Sequence, residues 1–253
     1  MAYGELVFIP TPGMGHLVSM VEMAKLLVHH DPQLSLTVLI IKFLLDSAFN
    51  SYTNSLATSV DAARIRFVHL PRVNIDTDLR RQLAHFLYGK QQASRQAGCC
   101  GTANSAGSNR RLVGLLLDMF CTTMTELADE VGVPSYVFFT SSAAFLGLML
   151  HLQLLQDEQR LDITEFKDSA IELDFPSFEK PLPAKVLCSV VLMKKSVRTF
   201  LEHAKMMRGT GGNVINMFDE LEPHAVASFA GFSNECEYEQ WLEVTTGRGG
   251  SAG

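Results

Sequence analysis

The sequence predicts an α/β protein with a Rossmann-like, mostly parallel sheet and helices on both faces. Three observations predict it. Short apolar, β-branched runs recur along the chain, and each is followed by a segment with helical spacing. The first run, Leu6 to Ile9, stops at a turn rich in proline and glycine (Pro10-Thr-Pro-Gly-Met-Gly-His16). After that turn, Leu17, Met20, Val21, Ala24, Leu27 and Val28 recur every third or fourth residue, as one face of a helix requires.

The later elements follow in the same alternation. Leu36–Ile41 is a continuous apolar run, the pattern of a strand buried on both faces. Phe43 to Leu56 is expected to be helical, Ile65–Leu70 to be a third strand ended by Pro71, and Asn74 to Tyr88 another helix. Residues 89–111 are small and polar without an apolar period. They cannot bury enough surface to offset their ordering entropy and are read as a mobile loop.

Leu112–Leu117 is a strand ending in Asp118. Thr122 or Thr123 is expected to cap the next helix, with Glu126 completing a capping box to Thr123. Gly132-Val-Pro134 ends that helix. Ser135–Phe139 is the next strand, and Thr140-Ser-Ser opens a helix to about Leu155. Asp157 to Pro183, polar and broken by prolines, is expected to be a surface excursion. Val190 to Arg208 has helical period, with a solvated basic face of Lys194, Lys195, Arg198 and Lys205. Gly211–Phe218 supplies a last strand and Glu220–Phe229 a last helix. Residues 1–230 thus form one Rossmann-like domain. Residues 231–253, without period and ending in Thr-Gly-Arg-Gly-Gly-Ser-Ala-Gly, are read as a divergent tail.

Composition narrows the function classes. A chain of 253 residues, 47% hydrophobic, can bury a sizeable core. Its net charge of −6, with no basic stripe carrying aromatics, argues against a nucleic-acid partner. The start, Met1-Ala-Tyr-Gly-Glu, lacks the cationic and apolar parts of a secretory signal. The longest apolar stretches are interrupted by Lys42 or by Pro134 and hydroxyls, so no stable membrane insertion is expected. Cys99, Cys100, Cys121, Cys188 and Cys236 are odd in number and scattered. They suggest neither a disulfide framework nor a zinc site, and a reducing, cytoplasmic location fits them.

The chemistry centres on His16. Its turn lets backbone amides approach a ligand, and the carboxyl end of a parallel strand is where open α/β sheets bind ligands. Asp118 ends another strand of the same sheet, where a buried carboxylate needs a partner. Against His16 it would fix the tautomer and stabilise the imidazolium after proton uptake. Each has a plainer reading as a helix-start residue. Thr140 and Ser141, after the next strand, could bind a polar ligand or cap a helix. Among Phe120, Phe138, Phe139, Phe145 and Met149, most are core, and one or two could line an apolar pocket. Cys121 has no helper histidine next to it in sequence. Val18 stands where a dinucleotide fingerprint needs its third glycine, and no phosphate-loop motif occurs, which argues against a dehydrogenase or a P-loop enzyme.

Four segments together resemble the N-terminal half of plant UDP-dependent glycosyltransferases, the GT-B enzymes that act on flavonoids and other phenolics. They are Phe8-Ile-Pro-Thr-Pro-Gly-Met-Gly-His-Leu17, Leu117-Asp-Met-Phe-Cys121, Val133-Pro-Ser-Tyr-Val-Phe-Phe-Thr140 and Asn216-Met-Phe-Asp-Glu-Leu-Glu-Pro-His224. The resemblance implies that residues 1–230 are the acceptor-binding domain. It makes His16 the general base, Asp118 its orienting carboxylate and Thr140 a contact to the donor sugar. Met14, Gly15, Phe120 and Phe145 would line the acceptor. The implied reaction passes a sugar, glucose by resemblance, from a UDP-sugar co-substrate to a phenolic hydroxyl with inversion, without metal or resident cofactor.

Two departures matter. The family's tryptophan-led donor signature is not found: the single tryptophan, Trp241, stands in Glu-Gln-Trp-Leu-Glu. The expectation is that the donor-binding domain lies outside these residues and that they are inactive alone. The small, polar residues 92–109 also replace a regular helical stretch of the family. The alternative is a non-catalytic module that binds small phenolics.

Overall fold

The first strand, β1 (Tyr3–Ile9), is the axis of the sheet. Val7, Phe8 and Ile9 are fully buried, because parallel neighbours flank the strand on both sides. The computed structural model describes residues 3–41, 52–53, 56, 64–70, 87, 110–160, 162–167 and 169–229. Within them the chain packs as two compact units, residues 1–138 and 139–253. Residues 89–109, most of the two helices expected at 43–56 and 74–88, and the tail at 231–253 with Trp241 lie outside the described residues.

In the first unit, α1 (Met14–His30) follows β1. Then come β2 (Leu34–Ile40), β3 (Ile65–His69), β4 (Arg110–Asp118), α2 (Thr125–Val131) and β5 (Ser135–Phe139). Every strand pair is parallel, in the order β3-β2-β1-β4-β5. The chain leaves β1 toward one edge through α1 and leaves β4 toward the other through α2. Right-handed crossovers in opposite directions put those helices on opposite faces. α1 buries Leu17, Met20, Val21, Ala24 and Val28, the stripe anticipated from their spacing. Arg110 and Arg111, placed by sequence in the loop, are instead the first residues of β4, paired with Tyr3 and Gly4. Backbone hydrogen bonding to β1 overrides their polarity.

The β1–β4 register slips between Glu5 and Leu6, leaving Val113 as a bulged, partly exposed residue. Beyond the bulge, Ile9 pairs with Leu117, so β4 carries Asp118 just past the end of β1. Glu5, inside β1, is fully buried. Thr37 Oγ1 donates to Glu5 Oε1 at 2.6 Å, and Arg66 Nη2 reaches the same oxygen at 3.5 Å. A charge without solvent contact needs such partners. They come from β2 and β3, and nothing local in the sequence announces them.

The expected capping box does not form. A 3-10 turn, Thr122–Met124, precedes α2, and Thr125 Oγ1 donates to the Thr122 carbonyl. The tighter turn takes up the threonines before the α-helix starts. Gly132, in the left-handed region at φ 69°, closes α2 as anticipated.

The second unit is built on α3 (Ala143–Gln159), which is apolar nearly all round through its first three turns. It also contains β6 (Glu172–Leu173), β7 (Leu182–Pro183), α4 (Ser189–Leu192), α5 (Lys194–Arg208), β8 (Asn213–Ile215) and α6 (Pro223–Phe229). Just past β8, the Asn216 amide donates to the carbonyl of Phe139, the first residue of this unit, at 3.0 Å. The single helix expected over Val190–Arg208 breaks at Met193, which is extended and opens α5. Lys194, Lys195, Arg198 and Lys205 are exposed, in line with a solvated face.

The excursion from Asp157 to Pro183 is more than surface. Ile163, Phe175 and Ser177 are buried, and β6 pairs with β7 in antiparallel fashion. Ser177 Oγ donates to the Ala144 carbonyl at 2.9 Å and packs on Gly147, where a Cβ would meet that oxygen at 2.7 Å. Prolines and charges hid these anchors. Among the described residues, no helix is long and apolar enough to cross a membrane.

Two outcomes are expected. Gly147→Ala should lower stability by about 1–3 kcal/mol through overpacking against Ser177, outweighing the gain of about 1 kcal/mol in helix propensity; denaturant unfolding measures it. Burial pushes the imidazoles of His151 and His203 below their ordinary range, against the opposing fields of Asp174 and Glu202. Below the ordinary histidine value the unfolded chain therefore binds more protons than the folded one. Stability from this source is level at neutral pH and falls as pH drops from about 6.5. The melting temperature should fall between pH 7 and 5, and a His151→Gln/His203→Gln variant should show a shallower fall.

Candidate active site

Three elements of the first unit meet where β1 and β4 end. β1 stops at Ile9 because Pro10 and Pro12 cannot continue a ladder. The Gly13 carbonyl accepts the first bond of α1 from the Leu17 amide at 3.0 Å, and this sets His16 in the opening turn of the helix. Gly13 itself is extended (φ 171°), so the turn is unstrained. Met14 and Gly15 share that opening turn, Gly15 in solvent and Met14 half-buried.

Asp118 ends β4, fully buried. Its two oxygens have different partners. Oδ2 lies 2.8 Å from His16 Nδ1. Oδ1 accepts from Thr11 Oγ1 at 2.5 Å and from the Phe120 amide at 3.1 Å. The plainer reading of Asp118 as a helix cap accounts for only the Phe120 bond. The carboxylate is chiefly a bridge between the two strand ends, and three donors compensate its lost hydration.

The imidazole has 27% of its side-chain surface exposed, so one edge stays open while Nδ1 is held. An ionised carboxylate can only accept, which places the proton of the neutral ring on Nδ1 and leaves Nε2 as an acceptor. Phe120 stands beside it, ring centroids 5.4 Å apart and edge-on. Phe120 is 52% exposed, an apolar surface next to a polar acceptor. Together these groups can orient an aromatic compound and take a proton from it.

Cys121 lies close by, with Sγ 3.4 Å from Thr11 Oγ1. Burial, then the negative field of Asp118, pushes its thiol up to about 12, against the opposing Thr11 bond. It stays a thiol at neutral pH and is no nucleophile. Thr11 was missed by sequence reasoning. A hydroxyl between two prolines at a strand end, five residues before the histidine, was the available signal. Among the described residues no cluster of three or more His, Cys, Asp or Glu is placed to hold a metal ion.

Thr140 and Phe145 belong to the second unit. Thr140 directly follows β5 and is half-buried. The capping role open to it by sequence falls to Ser142, whose Oγ accepts from the Phe145 amide at 3.1 Å. Glu222, part of the quoted Asn216–His224 segment but assigned no role there, accepts from the Ala143 amide at 2.6 Å and completes that helix start. Phe145 is half-buried and packs on Phe139 and Phe200, with ring centroids 6.3 and 5.9 Å apart. Within the first unit, then, His16, Asp118 and Phe120 come together, beside Met14 and Gly15.

A parallel sheet whose strand ends hold a histidine–carboxylate pair beside an exposed aromatic ring has these groups where open α/β sheets bind ligands. Known proteins narrow the class. The chain matches no family model. It is 46% identical over 230 residues to UDP-glucose flavonoid 3-O-glucosyltransferase 6 of Fragaria ananassa, covering 89% of this chain and 48% of that protein. It is 39% identical over 229 residues to UDP-glycosyltransferase 71B1 of Arabidopsis thaliana, covering 90% and 46%. A transferase from Siraitia grosvenorii, solved with UDP, superposes with a TM-score of 0.68 at 34% identity over 90% of this chain and 44% of that one. Medicago truncatula UGT71G1, solved with UDP-glucose, gives 0.68 at 31% over 91% and 49%. Its relatives are plant UDP-glycosyltransferases, whose N-terminal half the chain matches, and its structural neighbours have the GT-B fold. It spans about half the length of the relatives it matches.

Two changes test the site. Thr11→Val removes one of two donors to a buried oxygen and should destabilise the chain by about 1–3 kcal/mol, measured by denaturant unfolding. Iodoacetamide at pH 8 should alkylate exposed Cys188 and spare Cys121, as peptide mass spectrometry would show.

Proposed function

We propose that this chain supplies the acceptor side of sugar transfer from a UDP-sugar, glucose by kinship, to a hydroxyl of a small phenolic or flavonoid. The observation that carries the reading is the 2.8 Å bond between His16 Nδ1 and the buried Asp118. A module that only binds phenolics has no need to hold a partly exposed imidazole against a carboxylate withdrawn from water. That arrangement suits a proton acceptor.

The acceptor's aromatic body would lie on Phe120, with Met14 and Gly15 as further lining and its hydroxyl against His16 Nε2. As the acceptor oxygen attacks the anomeric carbon, its proton passes to Nε2. The bond from that carbon to the phosphate oxygen breaks, and UDP leaves with the electron pair. Attack opposite the leaving group inverts the configuration. Asp118 stabilises the imidazolium so formed. The UDP-sugar is a co-substrate, and the proposal assigns no resident cofactor or metal. Most of the donor site would come from the half of the relatives that this chain does not span. The expected setting is cytoplasmic.

The test joins these residues to the second half of a relative and follows glucoside formation from UDP-glucose and quercetin. His16→Ala should lower kcat by about 10²–10⁴-fold with little change in quercetin affinity, and Asp118→Asn should lower it in the same sense. The 253 residues alone should bind quercetin in calorimetry and give negligible glucoside. Full turnover in the His16→Ala chimera, or no quercetin binding, would defeat the proposal.

A further inference from the structure

The second unit holds a cavity of about 410 Å³ between the end of α3 and the start of α5. Its floor is apolar: Ile163 and Leu201 are buried, and half-buried Val197 adjoins them. Its rim is charged. Arg160 caps α3, Lys194 opens α5, and Asp162 lies between them in sequence. Among the described residues, neither the Arg160 guanidinium nor the Lys194 ammonium makes a hydrogen bond or a salt bridge.

Asp162 is already engaged. Its Oδ1 accepts from the Thr164 hydroxyl at 2.5 Å and from the Thr164 amide at 3.0 Å. Those bonds, with the field of Lys194, hold its carboxyl below the ordinary range. It therefore counts as one negative charge against two positive ones, of which Lys194 already lies within its field. The rim keeps a net positive charge above an apolar floor.

We infer that this cavity binds a small aromatic carboxylate, with its ring on Ile163, Val197 and Leu201 and its carboxylate between Arg160 and Lys194. A bare inorganic anion would use the cations and leave the floor wet. A neutral aromatic would cover the floor and leave the guanidinium's planar fork of donors empty. That fork matches a carboxylate in bidentate geometry. None of these residues belongs to the His16 site, so the cavity is a separate, non-catalytic binding site, and its test does not depend on glycosyl transfer.

Arg160 also provides a clean control. It sits in the left-handed region (φ 54°, ψ 32°), the only non-glycine described residue with positive φ. That is a helix-ending position that glycine fills without steric cost. Arg160→Gly should therefore keep the fold, with an unchanged or higher melting temperature, while removing the charge.

The experiment titrates the 253-residue chain with benzoate, benzamide and inorganic phosphate, followed by backbone NMR. Benzoate should bind and shift the Thr164, Val197 and Leu201 amides. Benzamide and phosphate should bind at least ~10-fold more weakly, and Arg160→Gly and Lys194→Gln should each weaken benzoate by ~10-fold or more, the worth of one charged hydrogen bond. Equal benzoate affinity in Arg160→Gly would overturn the inference. So would benzamide or phosphate binding as well as benzoate, or benzoate shifts confined to residues around His16.

Discussion

The candidate active site rests on one buried carboxylate. Asp118 has no solvent exposure, and an unpaired charge there would cost several kcal/mol even after relaxation. Its three donors, Thr11 Oγ1, the Phe120 amide and His16 Nδ1, come from the turn after β1, from the chain beyond β4 and from the first turn of α1. Satisfying that one group ties two strand ends and a helix start together. It also orients the imidazole, because the bond that compensates Asp118 is the one that fixes the ring. Stability and chemistry share a single interaction here.

The sheet makes that interaction possible. Two adjacent parallel strands end on the same side, so residues 102 positions apart in sequence meet without a long side chain between them. The bulge at Val113 sets the final register. A one-residue change of register in a strand turns its side chains to the other face, and Asp118 would then be directed away from the turn that carries His16. Glu5, held by Thr37 and Arg66, ties β1, β2 and β3 by the same device deeper in the sheet.

The second unit relies on packing instead. α3 is apolar almost all round, so it can be stable only if covered on several sides. α5 meets it through Phe145 and Phe200, and the segment around Phe175 and Ser177 meets it at Gly147. Its N-terminus is closed by Ser142 and Glu222, two residues 80 positions apart. This closure leaves Thr140, just ahead of the helix, without the capping task that sequence reasoning could equally have assigned to it.

By itself the sequence determined the alternation of strands and helices, the apolar face of α1, the place of β2 and β5, and His16 and Asp118 as the residues to watch. Those features follow from periodicity and from what a strand end allows, both local properties of the chain. It misplaced Arg110 and Arg111, expected a capping box that a 3-10 turn replaces, and took the 157–183 segment for surface. In each case a tertiary contact outweighed local composition. Only the tertiary structure decided that Thr11 is the second support of Asp118, that Glu5 is a buried and partnered charge, and that Cys121 is held as a thiol. These depend on which strands are neighbours and in what register. The energy of a buried charge is settled by partners distant in sequence, and no local pattern encodes them.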